Sequence, residues 1–195
     1  VTAAARKREV PAVAWLALLW GLAEATVFFI VPDVLISRIA AKSLARAWWA
    51  CLFATVGAVV GGVGMYAWAN ASPATARRVV DGVPFVPERT FASVETDLEG
   101  AGVLGVFRGP LLGRPYKVYA ILAPRHVGAM PFTLTSIPAR AARFVILALI
   151  GAAFGLALRR WTRAPDRWIV VVHAGLWTIF YLFYWSRQLD TLPAG

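Results

Sequence analysis

The chain has 195 residues, 59% of them hydrophobic and 15% charged, with a formal net charge of +10. Soluble domains are about a quarter charged, so this composition excludes an ordinary water-soluble globule and indicates a polytopic membrane protein. One cysteine, Cys51, and two histidines exclude an intrachain disulfide and a Cys/His zinc centre. The excess of arginine is read as basic loops that set topology and touch anionic headgroups, not as a nucleic-acid-binding surface.

The first hydrophobic run covers Val10 to Val31. Arg6, Lys7 and Arg8 precede it and give the opening the look of a signal peptide. The run is too long for one, and no small-residue cleavage site precedes the next loop, so it is expected to be retained. Arg38, Lys42 and Arg46 follow it. A single crossing would leave one of the two basic clusters on the wrong side of the membrane. A re-entrant hairpin over residues 10–45 removes the conflict, with arms near 11–30 and 33–45. Its turn falls at Pro32, which lacks an N–H and disfavours helical geometry at Val31.

Residues 47–69 are then expected to cross outward. The loop at 70–100 holds half of the acids (Asp81, Glu88, Glu95, Asp97 and Glu99), which suits the outer face. Within it, PERTFASVETDLEGAG reads as an amphipathic surface helix closed by Gly100. The stretch 101–135 is apolar but broken by Arg108, Gly109, Pro110, Gly113, Arg114, Pro115 and Lys117. Non-helical backbone at membrane depth is tolerated only inside protein or beside a wet cavity, so a second re-entrant hairpin is predicted, entering from the outer face. Ser136 and Pro138 are expected to open a helix crossing inward at 138–158. RRWTRAPDR is a cytoplasmic signal, and 168–186 crosses outward. The expected architecture is all-α, a single membrane domain over 1–195 with two opposed re-entrant helical hairpins and about three transmembrane helices. It leaves Arg125, Arg140 and Arg143 on the outer side, against the usual bias.

Four ionisable residues fall in the two broken segments: Glu24 and Asp33 in the first, Arg108 and Arg114 in the second. Charged groups at membrane depth are costly and face a bundle interior or a water-filled cavity. Broken helices meeting near the midplane build substrate sites in several transporters. The expectation is a shared polar site in which the two acids lie within reach of the two arginines. The plainer alternative is that Asp33 caps the second arm and Glu24 pairs with one arginine for packing. Gly57, Gly61 and Gly64 to Tyr66 read as a close helix-packing face, His173 as a packed helix residue, and His126 as a candidate titrating group at the mouth of the second hairpin.

These segments resemble the DedA proteins, the bacterial branch of the VTT (SNARE-associated Golgi protein) superfamily, over roughly residues 15–158. EATVFFIVPD keeps the family's two acids nine residues apart, with Pro32 alone remaining of its prolines. GAVVGGVGMYAWANA matches at Gly57, Gly61 and Tyr66, but Gly62 replaces a usual acid and Asn70 a usual arginine. RGPLLGR keeps Arg108, Pro110, Gly113 and Arg114, the Pro and Gly each shifted by one residue. The resemblance implies a transporter of phosphate-headgroup lipids, such as a polyprenyl phosphate or a phospholipid, in the bacterial cytoplasmic membrane. It gives Arg108 and Arg114 the headgroup, through charge-assisted and often bidentate hydrogen bonds, and makes Glu24 and Asp33 gates or counter-ions. No metal, cofactor or enzymatic activity is expected. The partners expected are membrane lipids and a homodimer or larger membrane complex. The competing function is a non-transporting integral-membrane subunit of such a complex.

Overall fold

The computed structural model describes residues 10–84, 86–162 and 166–189. The basic cluster at Arg6, Lys7 and Arg8, and Arg163 of the last basic loop, lie outside them. All regular structure among the described residues is helical: α1 Ala12–Thr26, α2 Asp33–Ala40, α3 Leu44–Ala71, α4 Pro73–Asp81, α5 Glu88–Ala101, α6 Val103–Leu111, α7 Tyr116–Leu122, α8 Ala129–Thr162 and α9 Asp166–Leu189, with a 3₁₀ turn at Ala123–Arg125. Three of these, α3, α8 and α9, are long and apolar enough to cross a membrane, and α1 is a shorter apolar helix. The chain is a helical membrane protein.

The local chemistry explains most helix ends. Ser43 caps α3 by accepting from the Arg46 N–H at 3.4 Å. Pro73 opens α4, where a missing N–H removes nothing the first turn needs. This short helix was not anticipated from the sequence; it buries Ala76 and Val80. Helix α5 is the amphipathic helix of the acidic loop, burying Phe91, Val94 and Leu98. It runs past the expected stop at Gly100 and ends at Gly102, whose φ of +50° favours glycine.

Helix α8 begins at Ala129, well before the expected opening at Ser136 and Pro138, and Pro138 lies inside it. Packing against α2, α3 and α6 holds the helix through the hydrogen bond that the proline omits. At 34 residues, α8 is about 51 Å long. That exceeds the roughly 30 Å hydrocarbon thickness, so α8 is longer than an upright crossing needs.

Two helices are interrupted where the sequence indicated. Residues 27–32 separate α1 from α2, and residues 112–115 separate α6 from α7, the second break containing Gly113 at φ +81°. Helix α1 lies along α3 at backbone contact: a Cβ on Gly57 would fall 2.0 Å from the Leu18 carbonyl oxygen, and one on Gly21 would fall 2.3 Å from that of Ala54. Helices α2 and α8 meet in the same way, with Gly155 against the Ala41 carbonyl. Small residues at these seams bring the backbones together where lipid offers no hydrophobic driving force between helices.

Candidate functional site

Both breaks open onto one cavity of about 770 Å³. Phe29, Val31 and Asp33 line it from the first break, and Leu112, Gly113, Arg114 and Pro115 from the second. The backbone freed at the first break is satisfied by side chains from three elements. Trp20 Nε1 of α1 donates to the Ile30 carbonyl at 2.9 Å, Lys117 Nζ of α7 donates to the Phe28 carbonyl at 2.9 Å, and Tyr181 of α9 accepts from the Val31 N–H at 3.0 Å. Irregular backbone buried away from water requires such partners.

The two acids of the first segment are buried, Glu24 at 4% and Asp33 at 1% relative exposure. Neither pairs with Arg108 or Arg114, which corrects the expected pairing. Glu24 accepts from Arg140 Nη2. Asp33 accepts on Oδ2 from Arg143 Nε at 3.0 Å and Nη2 at 2.5 Å. Arg143 also donates to the Pro110 carbonyl, so this one side chain of α8 ties the first break to the end of α6. The Arg140 guanidinium lies over the rings of Tyr116 (5.1 Å) and Phe144 (4.8 Å), which favours a desolvated cation. Asp33 is not a capping residue. It is the first residue of α2 and makes no side-chain cap bond, although the positive end of that helix favours its charge.

The reason for the different pairing is geometric. Arg140 and Arg143 stand three residues apart on one helix face, and that face meets α1 at one level and α2 at the next. The same two arginines weigh against the predicted topology because it leaves them at the outer end of the 138–158 helix. In the structure they are counter-ions of buried carboxylates.

Arg108 and Arg114 converge instead on Asp97 of α5. Asp97 Oδ2 accepts from Arg114 Nη1 and, at 2.5 Å, from the Tyr119 hydroxyl; Arg108 Nη2 lies 3.8 Å from Oδ1. Burial works against ionisation of Asp97, but hydrogen bonds from Tyr119 and Arg114 and the charges of Arg114 and Arg108 outweigh it and hold the carboxyl below its usual range. Arg114 lines the cavity together with Glu24 and Asp33, whereas Arg108 is outside the lining and half exposed. The four residues singled out from the sequence are thus divided between two clusters, joined through Arg114.

Lys117 was noted in the sequence only as an interruption of an apolar stretch. It is 2% exposed and lines the cavity, and among the described residues no carboxylate lies within ion-pair distance of its Nζ. Four cations (Arg114, Lys117, Arg140 and Arg143) and two carboxylates (Glu24 and Asp33) therefore face the cavity. Two buried polar atoms of this set, Asp33 Oδ1 and Arg140 Nε, have no hydrogen-bond partner.

The far side of the cavity is apolar and aromatic, with Ile150, Phe154, Trp177, Phe180, Tyr184 and Trp185 from α8 and α9. His173 is a packed helix residue in a polar contact between α9 and α2. Its Nε2 lies 2.9 Å from Ser37 Oγ, and Trp177 Nε1 donates to Ser37 Oγ at 3.2 Å. His126 pairs with Glu95 of α5 at 3.0 Å and is absent from the cavity lining. Gly62, where the resembled family carries an acid, faces the Tyr116 ring so closely that a Cβ would fall 2.3 Å from its hydroxyl oxygen. Tyr116 fills the space that an acid there would need. Among the described residues no cluster of His, Cys, Asp or Glu has the arrangement of a metal site.

In comparisons with protein-family models, with curated proteins and with solved structures, the chain has no match.

Proposed function

We propose that the protein is a divergent DedA-like transporter of lipids with a phosphate headgroup, of the flippase or scramblase kind, acting in a bacterial cytoplasmic membrane. The observation that carries this reading is the charge of the cavity. Its lining holds four cations and two carboxylates; Asp97 pairs with Arg114 from outside the lining, and Lys117, buried and bonded to the Phe28 carbonyl, has no carboxylate within ion-pair distance among the described residues. A buried ammonium without a contacting carboxylate is disfavoured by desolvation, and a bound anion offsets that cost. The aromatic and aliphatic side formed by α8 and α9 suits acyl or prenyl chains, so the occupant that fits both halves is an anionic amphiphile.

In this reading α1–α2 and α6–α7 are the two re-entrant hairpins, their breaks meeting within the membrane, and α5 enters from the outer side to reach Arg114 through Asp97. Arg114, Lys117 and Arg143 hold the phosphate. Glu24 and Asp33 are counter-ions that keep Arg140 and Arg143 oriented, and Arg108 acts at the mouth through Asp97. The spacing of the acids and the RGPLLGR segment support the family resemblance.

The test is translocation of a headgroup-labelled phosphatidate in proteoliposomes. Wild type is expected to be fastest, Arg114→Lys slower because it loses the bidentate fork, and Arg114→Ala slowest. Lys117→Ala is also expected to be impaired. Wild-type rates in the folded Arg108→Ala/Arg114→Ala and Lys117→Ala proteins reject the headgroup role. A wild-type protein that is silent in liposomes and copurifies stoichiometrically with other membrane proteins supports the accessory-subunit function instead.

A further inference from the structure

The convergence of Arg108, Arg114 and Tyr119 on one carboxylate has a second meaning beyond holding α5 in place. Two hydrogen-bond donors, Arg114 and Tyr119, and a third cationic group, Arg108 at 3.8 Å, meet at Asp97, and they are the kind of groups that bind a phosphoryl oxygen. Arg114 uses only Nη1 in this contact. Its Nε and Nη2 have no hydrogen-bond partner among the described residues, although the residue lines the cavity. The donor set is built and not incidental. The Tyr119 ring packs on Gly109, where a Cβ would fall 2.2 Å from ring carbons, and Gly105 brings α6 against the Asp97 backbone, where a Cβ would fall 2.8 Å from the carbonyl oxygen. Asp97 itself comes from α5, a helix with an exposed polar face.

We propose that Asp97 is a tethered stand-in for the ligand's anionic group, occupying the Arg114–Arg108–Tyr119 donors until a phosphate displaces it. The proposal rests on the cavity reading above and adds what controls access to it. A ligand phosphate that takes Arg114 leaves Asp97 without its strongest partner, so binding loosens the hold of α5 on α6 and α7. Asp97 thereby lowers the affinity for the anion and sets a threshold that weakly binding anions do not pass. The displacing group is a phosphate, borne by a lipid or free in solution.

The experiment uses the full-length chain in detergent micelles and a short-chain phosphatidate, with inorganic phosphate and a short-chain diacylglycerol as parallel arms. Binding is read from the cavity tryptophans, Trp177 and Trp185. Asp97→Asn is expected to bind the phosphatidate about tenfold or more tightly than wild type, and Asp97→Asn/Arg114→Ala is expected to lose that gain. In wild type, phosphatidate is expected to speed amide hydrogen exchange across residues 88–101, and diacylglycerol to leave it unchanged. The exchange measurement needs no variant and decides the matter if Asp97→Asn does not fold. Equal or weaker binding by folded Asp97→Asn, or unchanged or slower exchange in α5 on binding, overturns the proposal and leaves the cavity reading standing. Absence of phosphatidate binding by both proteins overturns the two together. If inorganic phosphate alone reproduces the gain and the faster exchange, displacement is supported with the free ion as ligand.

Discussion

Helices α3 and α9 are both of membrane-spanning length, yet they are held in opposite ways. In the most apolar stretch of α3, 56% of the residues are buried inside the protein; in that of α9, 11% are. Helix α3 is locked to α1 by glycines that let backbone touch backbone. Helix α9 exposes Val171, Leu176, Ile179 and Leu182; its contacts with the rest include the Ser37–His173–Trp177 group, the bond from Val31 to Tyr181, the exposed Lys42–Asp166 pair, the buried Ile169 and the Trp185 ring beside Phe29. Close packing resists movement because every displaced atom loses neighbours, whereas a handful of hydrogen bonds exchange partners at small cost. The α1–α3 pair is the close-packed part of the protein, and α9 is the loosely packed wall of the cavity.

The largest effect expected from this contrast is at the seam. Gly57→Leu drives a side chain into the Leu18 carbonyl and is expected to abolish folded protein, measured as the monodisperse yield after detergent extraction. Gly175→Leu on α9, where nothing lies within 4 Å of an added Cβ, is expected to leave the yield unchanged. Equal losses at the two positions break the contrast.

Next in size is the ion pair that joins the two broken segments. Arg143→Ala leaves Asp33 buried and unpaired and is expected to cost about 3–5 kcal/mol in reversible unfolding. Arg143→Ala combined with Asp33→Asn is expected to recover part of the loss, because no charge is then stranded. A double variant as unstable as the sum of the single ones contradicts a direct pair.

A smaller effect is expected at the loosely packed wall. Ser37→Ala removes the hydroxyl between α2 and α9 and is expected to cost about 1 kcal/mol, while widening the α2–α9 distance read by paired spin labels. An unchanged distance distribution shows that α9 is held by packing and refutes the contrast from the other side.

The acidic cluster outside the spans gives a pH signature. Asp97 is held below its usual range in the folded protein. Its contribution is therefore complete above the unfolded carboxyl value and is lost as pH falls through the lower folded value. A melting curve followed downward from pH 5 is expected to drop less steeply in Asp97→Asn than in wild type. The smallest effect is expected at Lys42, whose Nζ lies 3.2 Å from Asp166 Oδ2 in an exposed pair. Its hydrogen bond and charge hold the Asp166 carboxyl low, but Lys42→Ala is expected to leave the melting temperature unchanged, as exposed pairs contribute little.

The sequence by itself determined the solvent the chain is built for, the helical class and the two breaks after α1 and α6. Apolar runs with few charges can satisfy their backbone only as helices in lipid, and Pro32, Gly113 and Pro115 interrupt them through local sterics. It also marked Glu24 and Asp33 as buried groups, because a carboxylate inside an apolar run must find a partner. Only the tertiary structure decided which partner. Ion pairing depends on which helix faces lie opposite one another and at what level, and a linear pattern does not carry that. The two arginines of the second broken segment therefore went to Asp97, and Arg140 and Arg143 of α8 took the acids. Lys117 was hidden for the same reason: its burial and its bond to the Phe28 carbonyl exist only once α7 is packed against the first break.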